Sequence, residues 1–304
     1  MSSEISVFAP AKINLFLEVT GKRENGYHDL TTLFAKLAIG DDIKISAQKA
    51  DKTEINLKIK GPFGANLKGD KSNLAYKAAN AFFEYFGIKA HCDIRLEKNM
   101  PLGSGLGAGS SDAAAVINAL CQLFNIELNA KRMKDLLQIA AKLGADVPVF
   151  LYPETFFKAQ GIGEVLTPIK SKIRSPWVII AYPGEGSDTK EAYTKLAINP
   201  QEKILTHISN LNKLVYSIEN GSPLQDYAHL IYNKLEDSVL TYKGSVARLK
   251  QELIGLGAQY ALMSGSGSCV FALVQDEQKA KGIVKEIEKD GRTVFLTHFW
   301  RTQV

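Results

Sequence analysis

Residues 101–115 read PLGSGLGAGSSDAAA, and this stretch decides which kind of fold the chain can adopt. Every second residue from Gly103 to Gly109 is a glycine, and glycine tolerates the positive φ angles that turn successive backbone N–H groups toward one side. Ser110 or Ser111 is the expected N-cap of a helix that continues to Phe124, and the positive end of that helix suits the acidic residue that follows. A glycine loop that leads into a helix N-terminus is a preformed anion site, most often for phosphate.

Other kinds of loop fit this stretch less well. A Walker P-loop requires G-K-S or G-K-T, which occurs nowhere in the 304 residues. A dinucleotide-binding turn could use Gly103, Gly105 and Ala108, but the helix begins too late for the usual tight turn. A merely flexible loop has no need of strictly alternating glycines before a capped helix. The stretch therefore indicates a nucleotide-phosphate loop of another kind.

The length of 304 residues suggests two domains or one large one, and the composition is that of a globular chain. Of its residues, 45% are hydrophobic and 23% charged, which permits a sizeable core and excludes whole-chain disorder. The net charge of +5 is scattered, so it predicts no nucleic-acid or membrane partner but suits an anionic substrate. Cys92, Cys121 and Cys269 are widely spaced, which predicts buried free thiols. Because no stretch reads as a targeting segment or a membrane span, we expect a cytoplasmic protein.

Hydrophobic periodicity predicts mixed helices and strands with hairpin-like pairs, which favours an α+β fold over a doubly wound sheet. The opening segment Val7–Val19 is a predicted strand or strand pair with a break around Pro10. The other predicted strands are 42–46, 54–59, 91–96, 177–182, 260–264, 269–274 and 293–297. Besides the helix after the glycine loop, the predicted helices are 73–86, 130–143, 203–216, 227–235, 245–256 and 277–289. A polar segment near 171–176 places a domain boundary within 155–175.

Four motifs in the same order resemble those of the GHMP kinases, a family of small-molecule kinases. They are PAKINLFL at 10–17 with GYHDL at 26–30, the glycine loop, LGADVPVF at 143–150, and MSGSGSCVFA at 263–272. The family core is P-x-x-x-G-L-G-S-S-A, and two extra residues stand before the serine pair here. That spacing resembles the branch whose substrate is 4-diphosphocytidyl-2-C-methyl-D-erythritol.

The resemblance implies an α+β fold of two domains, with the active site in the cleft between them. The expected S5-like N-terminal domain, residues 1–160, carries the nucleotide loop and the catalytic residues, and the ferredoxin-like C-terminal domain, residues 161–304, completes the cleft. The implied activity is ATP-dependent phosphorylation of the 2-hydroxyl of that substrate, in the non-mevalonate isoprenoid pathway. A homoserine or mevalonate type of GHMP kinase and a non-catalytic nucleotide-binding module remain alternatives.

Lys12 and Asp146 match the family's catalytic positions. A carboxylate beside an attacking alcohol can orient the hydroxyl and accept its proton late in phosphoryl transfer. A lysine next to it can hold the carboxylate ionised and lower the proton affinity of the hydroxyl. Without the surrounding motifs, the same residues could be a helix-terminal aspartate and a solvated strand lysine.

The resemblance also implies a site for ATP with Mg²⁺. Asn73 could instead serve only as a helix N-cap, and Gly265 could belong only to a hairpin turn. Ser111 is the candidate for contact with the metal, whose protein ligands the sequence leaves unknown. The predicted ATP-binding residues are Asn73, Lys98, Pro101, Leu102, Gly103, Ser104, Gly105, Leu106, Gly107, Ala108, Gly109, Ser110, Ser111 and Gly265.

The acceptor site is expected to hold a cytidine diphosphate conjugate of a sugar alcohol. By resemblance, an aromatic ring stacks on the cytosine and a histidine reads the edge of the base. Tyr193 could instead be ordinary helix packing, and His28 a turn residue bonded to backbone. The predicted substrate-binding residues are Asn14, Tyr27, His28, Pro183, Thr189 and Tyr193. We expect no nucleic-acid or membrane partner, and a chain that is a monomer or a weak homodimer. The segment Thr155–Gln160 departs from the family pattern.

Overall fold

Two long strands open the chain in the computed structural model, which describes residues 4–301. They are β1, Glu4–Lys22, and β2, His28–Lys49. The elements that follow, up to residue 169, are β3 Glu54–Lys60, α1 Leu74–Phe86, β4 Ala90–Glu97, α2 Ala108–Leu123, α3 Ala130–Leu143, α4 Val147–Phe150, β5 Phe156–Gly161 and β6 Val165–Ile169.

The remaining elements alternate short strands with helices. They are β7 Trp177–Tyr182, α5 Thr189–Thr194, α6 Gln201–Asn220, α7 Leu224–Tyr227, a 3₁₀ turn at Ala228–Leu230, β8 Tyr232–Asn233, α8 Glu236–Tyr242, α9 Gly244–Gly255, β9 Tyr260–Met263, β10 Val270–Val274, α10 Glu277–Glu288 and β11 Thr293–Thr297. The mixture of elements confirms the predicted α+β class.

Contacts divide the chain into two compact units, each built from several chain segments. The first unit comprises the residues through Ala11, Gly40–Leu102 and Gly107–Pro153. The second comprises Lys12–Ile39, Gly103–Leu106 and the chain from Glu154 onward. The domain division at residue 160 stays a prediction.

The first unit packs helices with strands of a mixed sheet. Residues 42–49 of β2 pair antiparallel with β4, and β3 pairs parallel with the other side of β4. Helix α1 buries Phe82 and Phe83 and packs against α2 and α3, while α2 is buried along most of its length. The caps of α1 are those the sequence predicts, since the side chain of Asn73 accepts the N–H of Ala75 and Gly87 adopts a φ of 62°.

The second unit contains an antiparallel sheet in the order β11-β7-β10-β9. Helices α9 and α10 cover it with apolar side chains such as Leu253 and Ile283. In the same unit, β5 pairs with residues 30–35 of β2 and with β6, and β8 pairs parallel with β1 at Phe16 and Leu17. Parallel pairing with β1 therefore holds the short strand β8 in place.

Three of the predicted elements are corrected by the structure. Strand β1 runs through Pro10 without a break, because Gly40 on β2 has no side chain; a Cβ there would lie 2.0 Å from the carbonyl oxygen of Ala9. The N-cap of α2 is Gly107 rather than Ser110 or Ser111, so the helix begins three residues early.

The third correction is at residues 227–235, which form the end of α7, a 3₁₀ turn and strand β8 instead of one helix. Pairing with β1 overrides the local helical pattern there, since strand formation depends on tertiary context. Among the helices of residues 4–301, none combines the length and the apolar character that a membrane crossing requires.

Candidate active site

The glycine loop turns through three residues in the left-handed region. The φ angles are 59° at Gly103, 76° at Gly105 and 67° at Gly107, whereas Gly109 lies inside α2. Gly105 also admits a close backbone approach, because a Cβ there would lie 1.9 Å from the carbonyl oxygen of Ser264. Only glycine satisfies both the angle and the contact at this position.

The turn between β9 and β10, residues Ser264–Cys269, lies against that loop within the second unit. The hydroxyl of Ser264 donates to the carbonyl of Gly105 over 2.9 Å, and the N–H of Cys269 donates to the carbonyl of Ser104 over 3.0 Å. The segment is thus a hairpin turn, as one interpretation of the sequence holds, and it also packs on the glycine loop.

Lys12 and Asn14 lie beside this turn. The Nζ of Lys12 donates to the Oδ1 of Asn14 over 2.7 Å and lies 5.2 Å from the centroid of the Phe34 ring. The amide of Asn14 donates to the hydroxyl of Thr32 over 2.8 Å. A Cβ on Gly265 would lie 3.3 Å from the Nζ of Lys12 and 3.2 Å from the Oδ1 of Asn14. The second unit therefore brings together four predicted site residues: Lys12, Asn14, Gly105 and Gly265.

The first unit holds Asp146 and the serine pair. Asp146 is half-buried directly before α4, whose second residue is Pro148. Lys12 and Asp146 fall in different units, and their pairing stays a prediction. Ser111 is 1% exposed, and in the part of the chain that the structure describes its Oγ has no hydrogen-bond partner. A buried hydroxyl of this kind suits a ligand oxygen or a metal ion.

Magnesium would find few protein ligands of its own. Within residues 4–301, no group of three or more His, Cys, Asp or Glu side chains could hold a metal ion. Mg²⁺ commonly keeps several waters and binds substrate phosphates with only one or two protein ligands. The unpartnered hydroxyl of Ser111, in the part of the chain that the structure describes, fits one such protein ligand.

Lys98 is buried between two carboxylates in the first unit. Its Nζ lies 2.5 Å from Asp41 and 2.6 Å from Asp112. Burial alone would lower the pKa of Lys98, but the charges of both carboxylates and their hydrogen bonds outweigh it and raise that pKa. The other oxygen of Asp41 accepts the N–H groups of Asn99 and Met100, so the cluster fixes the chain just before Pro101. Contact between Lys98 and a nucleotide stays a prediction.

The remaining nucleotide-side residues differ in their exposure. Asn73 is used as the N-cap of α1, the alternative that the sequence leaves open, and its nucleotide role stays a prediction. Leu102 is 40% exposed, whereas Pro101, Leu106 and Ala108 are buried and Ser110 is half-buried.

Two of the residues predicted to bind the phosphate-accepting substrate lie in contact with each other. The rings of His28 and Tyr193 stack with centroids 5.2 Å apart at 27°, whereas Tyr27 is 60% exposed. Burial, followed by the charge of Lys22, lowers the pKa of His28 below its usual 6.5, which favours the neutral imidazole at pH 7.

Thr189, the first residue of α5, is tied to the turn after β9. Its hydroxyl and that of Ser266 are 2.8 Å apart. The N–H of Ser187 donates to the carbonyl of Gly103 over 2.8 Å. These two contacts hold the segment after the half-buried Pro183 against the glycine loop and against the turn between β9 and β10.

Sequence reasoning missed Asp41, Ser187 and Asn233. Asp41 follows an apolar run, Ser187 stands unmarked between the predicted residues Pro183 and Thr189, and Asn233 lies in a stretch without a motif. A buried amide or carboxylate that acts through contacts across the chain leaves no local signal.

Two protein-family models match separate parts of the chain. The model of the GHMP kinases N terminal domain matches residues 73–154, and the model described as GHMP kinases C terminal matches residues 213–293. The chain belongs to the GHMP kinase family. The predicted family and fold are thereby confirmed.

Relatives of this GHMP kinase match it over nearly its full length. A Carboxydothermus hydrogenoformans protein named 4-diphosphocytidyl-2-C-methyl-D-erythritol kinase is 36% identical over 94% of each chain. A Lachnoclostridium phytofermentans protein of the same name is 35% identical over 98% of each chain.

Solved structures agree with this assignment of the fold. A crystal structure of 4-(cytidine 5'-diphospho)-2C-methyl-D-erythritol kinase matches with a TM-score of 0.75 and 30% identity, over 98% of this chain and 100% of that chain. Homoserine kinase from Cytophaga hutchinsonii matches with a TM-score of 0.75 at 21% identity, over 98% of this chain and 95% of that chain. The second likeness shows the fold alone.

Proposed function

We propose that this GHMP kinase transfers the γ-phosphoryl group of ATP to the 2-hydroxyl of 4-diphosphocytidyl-2-C-methyl-D-erythritol. The products are ADP and the 2-phosphate, and the reaction belongs to the non-mevalonate isoprenoid pathway. The observation that carries the proposal is the similarity to relatives of that name over 94–98% of the chain. The reaction needs only small-molecule partners, and we place it in the cytoplasm.

The glycine segments support the nucleotide side of the proposal. Phosphoryl transfer needs little covalent help, so its rate depends on alignment and on neutralising charge. Left-handed glycines at Gly103, Gly105 and Gly107 turn backbone N–H groups toward the phosphates. Lys12, held by Asn14 beside Gly265, supplies positive charge. Asp146 orients the acceptor hydroxyl and takes up its proton.

The buried hydroxyl of Ser111 would contact Mg²⁺ or a phosphate oxygen at the start of α2. When bound, the metal neutralises charge on the β- and γ-phosphate oxygens. The protein's own part is to hold the triphosphate at the glycine loop and the helix N-terminus.

The stacked rings of His28 and Tyr193 support a cytosine as the recognised group. A neutral imidazole has one N–H donor and one acceptor nitrogen, so it can read a donor or an acceptor on the edge of a base. Exposed Tyr27 offers a further ring for stacking, worth about 1–3 kcal/mol per base. We assign Pro183 and Thr189 to the same acceptor site.

A coupled ADP-release assay tests the acceptor. The purified chain is given ATP, Mg²⁺ and either the cytidylated substrate, homoserine or mevalonate. We expect turnover with the first and none above background with the others. Faster turnover with homoserine or mevalonate would reassign the substrate. If no acceptor gives ADP release, a non-catalytic nucleotide-binding module is favoured.

Replacing the catalytic aspartate tests the chemistry. Asp146→Ala removes the carboxylate that orients the hydroxyl and accepts its proton, and we expect kcat to fall by roughly 10²–10⁴-fold. Steady-state kinetics of the folded variant measure this. Asp51→Ala, at an exposed aspartate of the same unit, is the control and should keep the wild-type kcat. Full activity in Asp146→Ala would remove Asp146 from the mechanism.

A further inference from the structure

Asn233 is a buried amide whose hydrogen bonds all go to backbone groups. It is 2% exposed. Its Nδ2 donates to the carbonyls of Met263 and Gly265, each over 2.8 Å, and its Oδ1 accepts the N–H of Leu235 over 2.9 Å. Asn233 itself is held beside Leu17 of β1 by strand pairing. The side chain of Asn233 therefore links β8, which pairs with β1, to the turn that follows β9.

The turn held by Asn233 touches the predicted phosphate site. Gly265 lies against the side-chain ends of Lys12 and Asn14 and against the carbonyl of Gly105. Ser264 is hydrogen-bonded to Gly105 as well. A shift of the turn would therefore move these groups relative to one another.

The bond to Gly265 also sets the direction of the next backbone donor. In a trans peptide the C=O and N–H groups point to opposite sides. Because the carbonyl of Gly265 points at Asn233, the N–H of Ser266 points away from Asn233. Oriented backbone N–H groups stabilise the charge that develops on transferring groups, at no cost of reorganisation during the reaction.

We propose that Asn233 is a positioning residue for phosphoryl transfer: it fixes the Gly265–Ser266 peptide so that the Ser266 N–H serves as an oriented donor to phosphate oxygens beside Lys12. The inference rests on the proposed kinase function. Asn233 acts through the turn and touches neither nucleotide nor acceptor.

Asn233→Asp is the sharpest test because it keeps the size of the side chain and the acceptor for Leu235. It replaces the donating NH₂ by an oxygen that faces two carbonyls. The matched control is Asn199→Asp, another buried amide of the second unit, whose Nδ2 donates to Glu18 and to the hydroxyl of Tyr232 and whose Oδ1 accepts the Nζ of Lys234. For both variants, kcat, the KM values for ATP and acceptor, Tm and hydrogen exchange of the 264–268 backbone are measured well below the Tm.

We expect Asn233→Asp to lower kcat by about 10²-fold, the effect of misplacing a reactive group by about 1 Å. Exchange at 264–268 should become about tenfold faster as the turn opens locally. Asn199→Asp should lower Tm but keep kcat within about twofold, because its effect is on stability alone.

An unchanged kcat in Asn233→Asp, or an equal loss in both variants, would overturn the inference and leave Asn233 a structural residue. If Asn233→Asp does not fold, Asn233→Ser keeps a short donor and should lose about tenfold in kcat, with wild-type activity again the overturning result. If the wild-type chain is inactive with every acceptor, both the proposed function and this inference are overturned. If the wild type and the Asn233 variant are equally active, only this inference is overturned.

Discussion

Lys98 and Lys36 are buried to nearly the same degree, at 1% and 2% exposure, but their surroundings differ. Lys98 lies between Asp41 and Asp112, and its pKa is raised in spite of burial. Lys36 lies over the ring of Phe157, and burial, opposed only in part by the charge of Glu154, lowers its pKa to about 7. At Lys98 the two carboxylates outweigh burial, whereas at Lys36 burial is the larger cause.

The largest expected effect comes from removing the paired lysine. Lys98→Met leaves two buried carboxylates without their cation, and we expect the free energy of unfolding to fall by about 3–5 kcal/mol. Urea unfolding of the full chain measures this. Lys44→Met, at an exposed lysine of β2, is the control and should change stability by less than about 0.5 kcal/mol. A loss of the same size in both variants would mean that the buried cluster is worth no more than a surface charge.

A smaller effect, with a definite pH dependence, is expected at Lys36. Below pH 7 Lys36 is charged in both states, and burial of the charge costs stability. Between pH 7 and its ordinary value of 10.5, the unfolded chain holds a proton that the folded chain has lost, so wild-type stability from this group rises with pH. Lys36→Met removes this dependence. The free energy of unfolding of Lys36→Met, relative to that of the wild type, should therefore be greatest at pH 6. It should fall by about 1 kcal/mol per pH unit from pH 7 to pH 9.

Urea unfolding at pH 6, 7, 8 and 9 checks the trend for Lys36→Met. Lys44→Met again serves as the control, and its difference from the wild type should stay flat. A difference for Lys36→Met that does not change with pH would show that Lys36 keeps its proton in the folded chain.

The smallest effect concerns an exposed charge that acts on His28. Lys22→Gln removes the lesser of the two causes that lower the pKa of His28, the greater being burial. Because exposed charges are screened and burial is the larger cause, we expect the pKa of His28 to rise only slightly and to stay below its ordinary value of 6.5. An NMR titration of the imidazole measures it. A rise past the ordinary value would mean that Lys22, and not burial, controls this group.

Capping residues in the sequence are enough to predict the bounds of a helix when they are strong at both ends. Helix α1 is predicted almost to the residue because Asn73 and Gly87 mark its ends in the sequence itself. The start of α2 was misplaced because the glycines and both serines of the loop all permit a cap, and Gly103, Gly105 and Gly107 share a left-handed φ. Only the folded chain shows that the helical residues begin at Ala108. Strand β8 was missed because its pairing with β1 joins residues more than 200 positions apart.

The site could be predicted only where a motif marks it. Lys12, Asn14, Gly105 and Gly265 stand in family motifs, and the second unit does gather them. Asn233 and Asp41 carry no motif, since each acts by hydrogen bonds to backbone groups that are distant in sequence or in another element. Such contacts exist only once the chain is folded.

The way the chain passes between its two units has a consequence for how the protein can be divided or recombined. Each unit takes three separate segments of the chain, and the chain crosses from one to the other at five places. One proteolytic cut therefore releases neither unit intact, and no continuous gene fragment encodes either of them. Exchange of one unit between relatives would need five crossovers in register, so we expect such proteins to diverge by point substitution and not by the shuffling of halves.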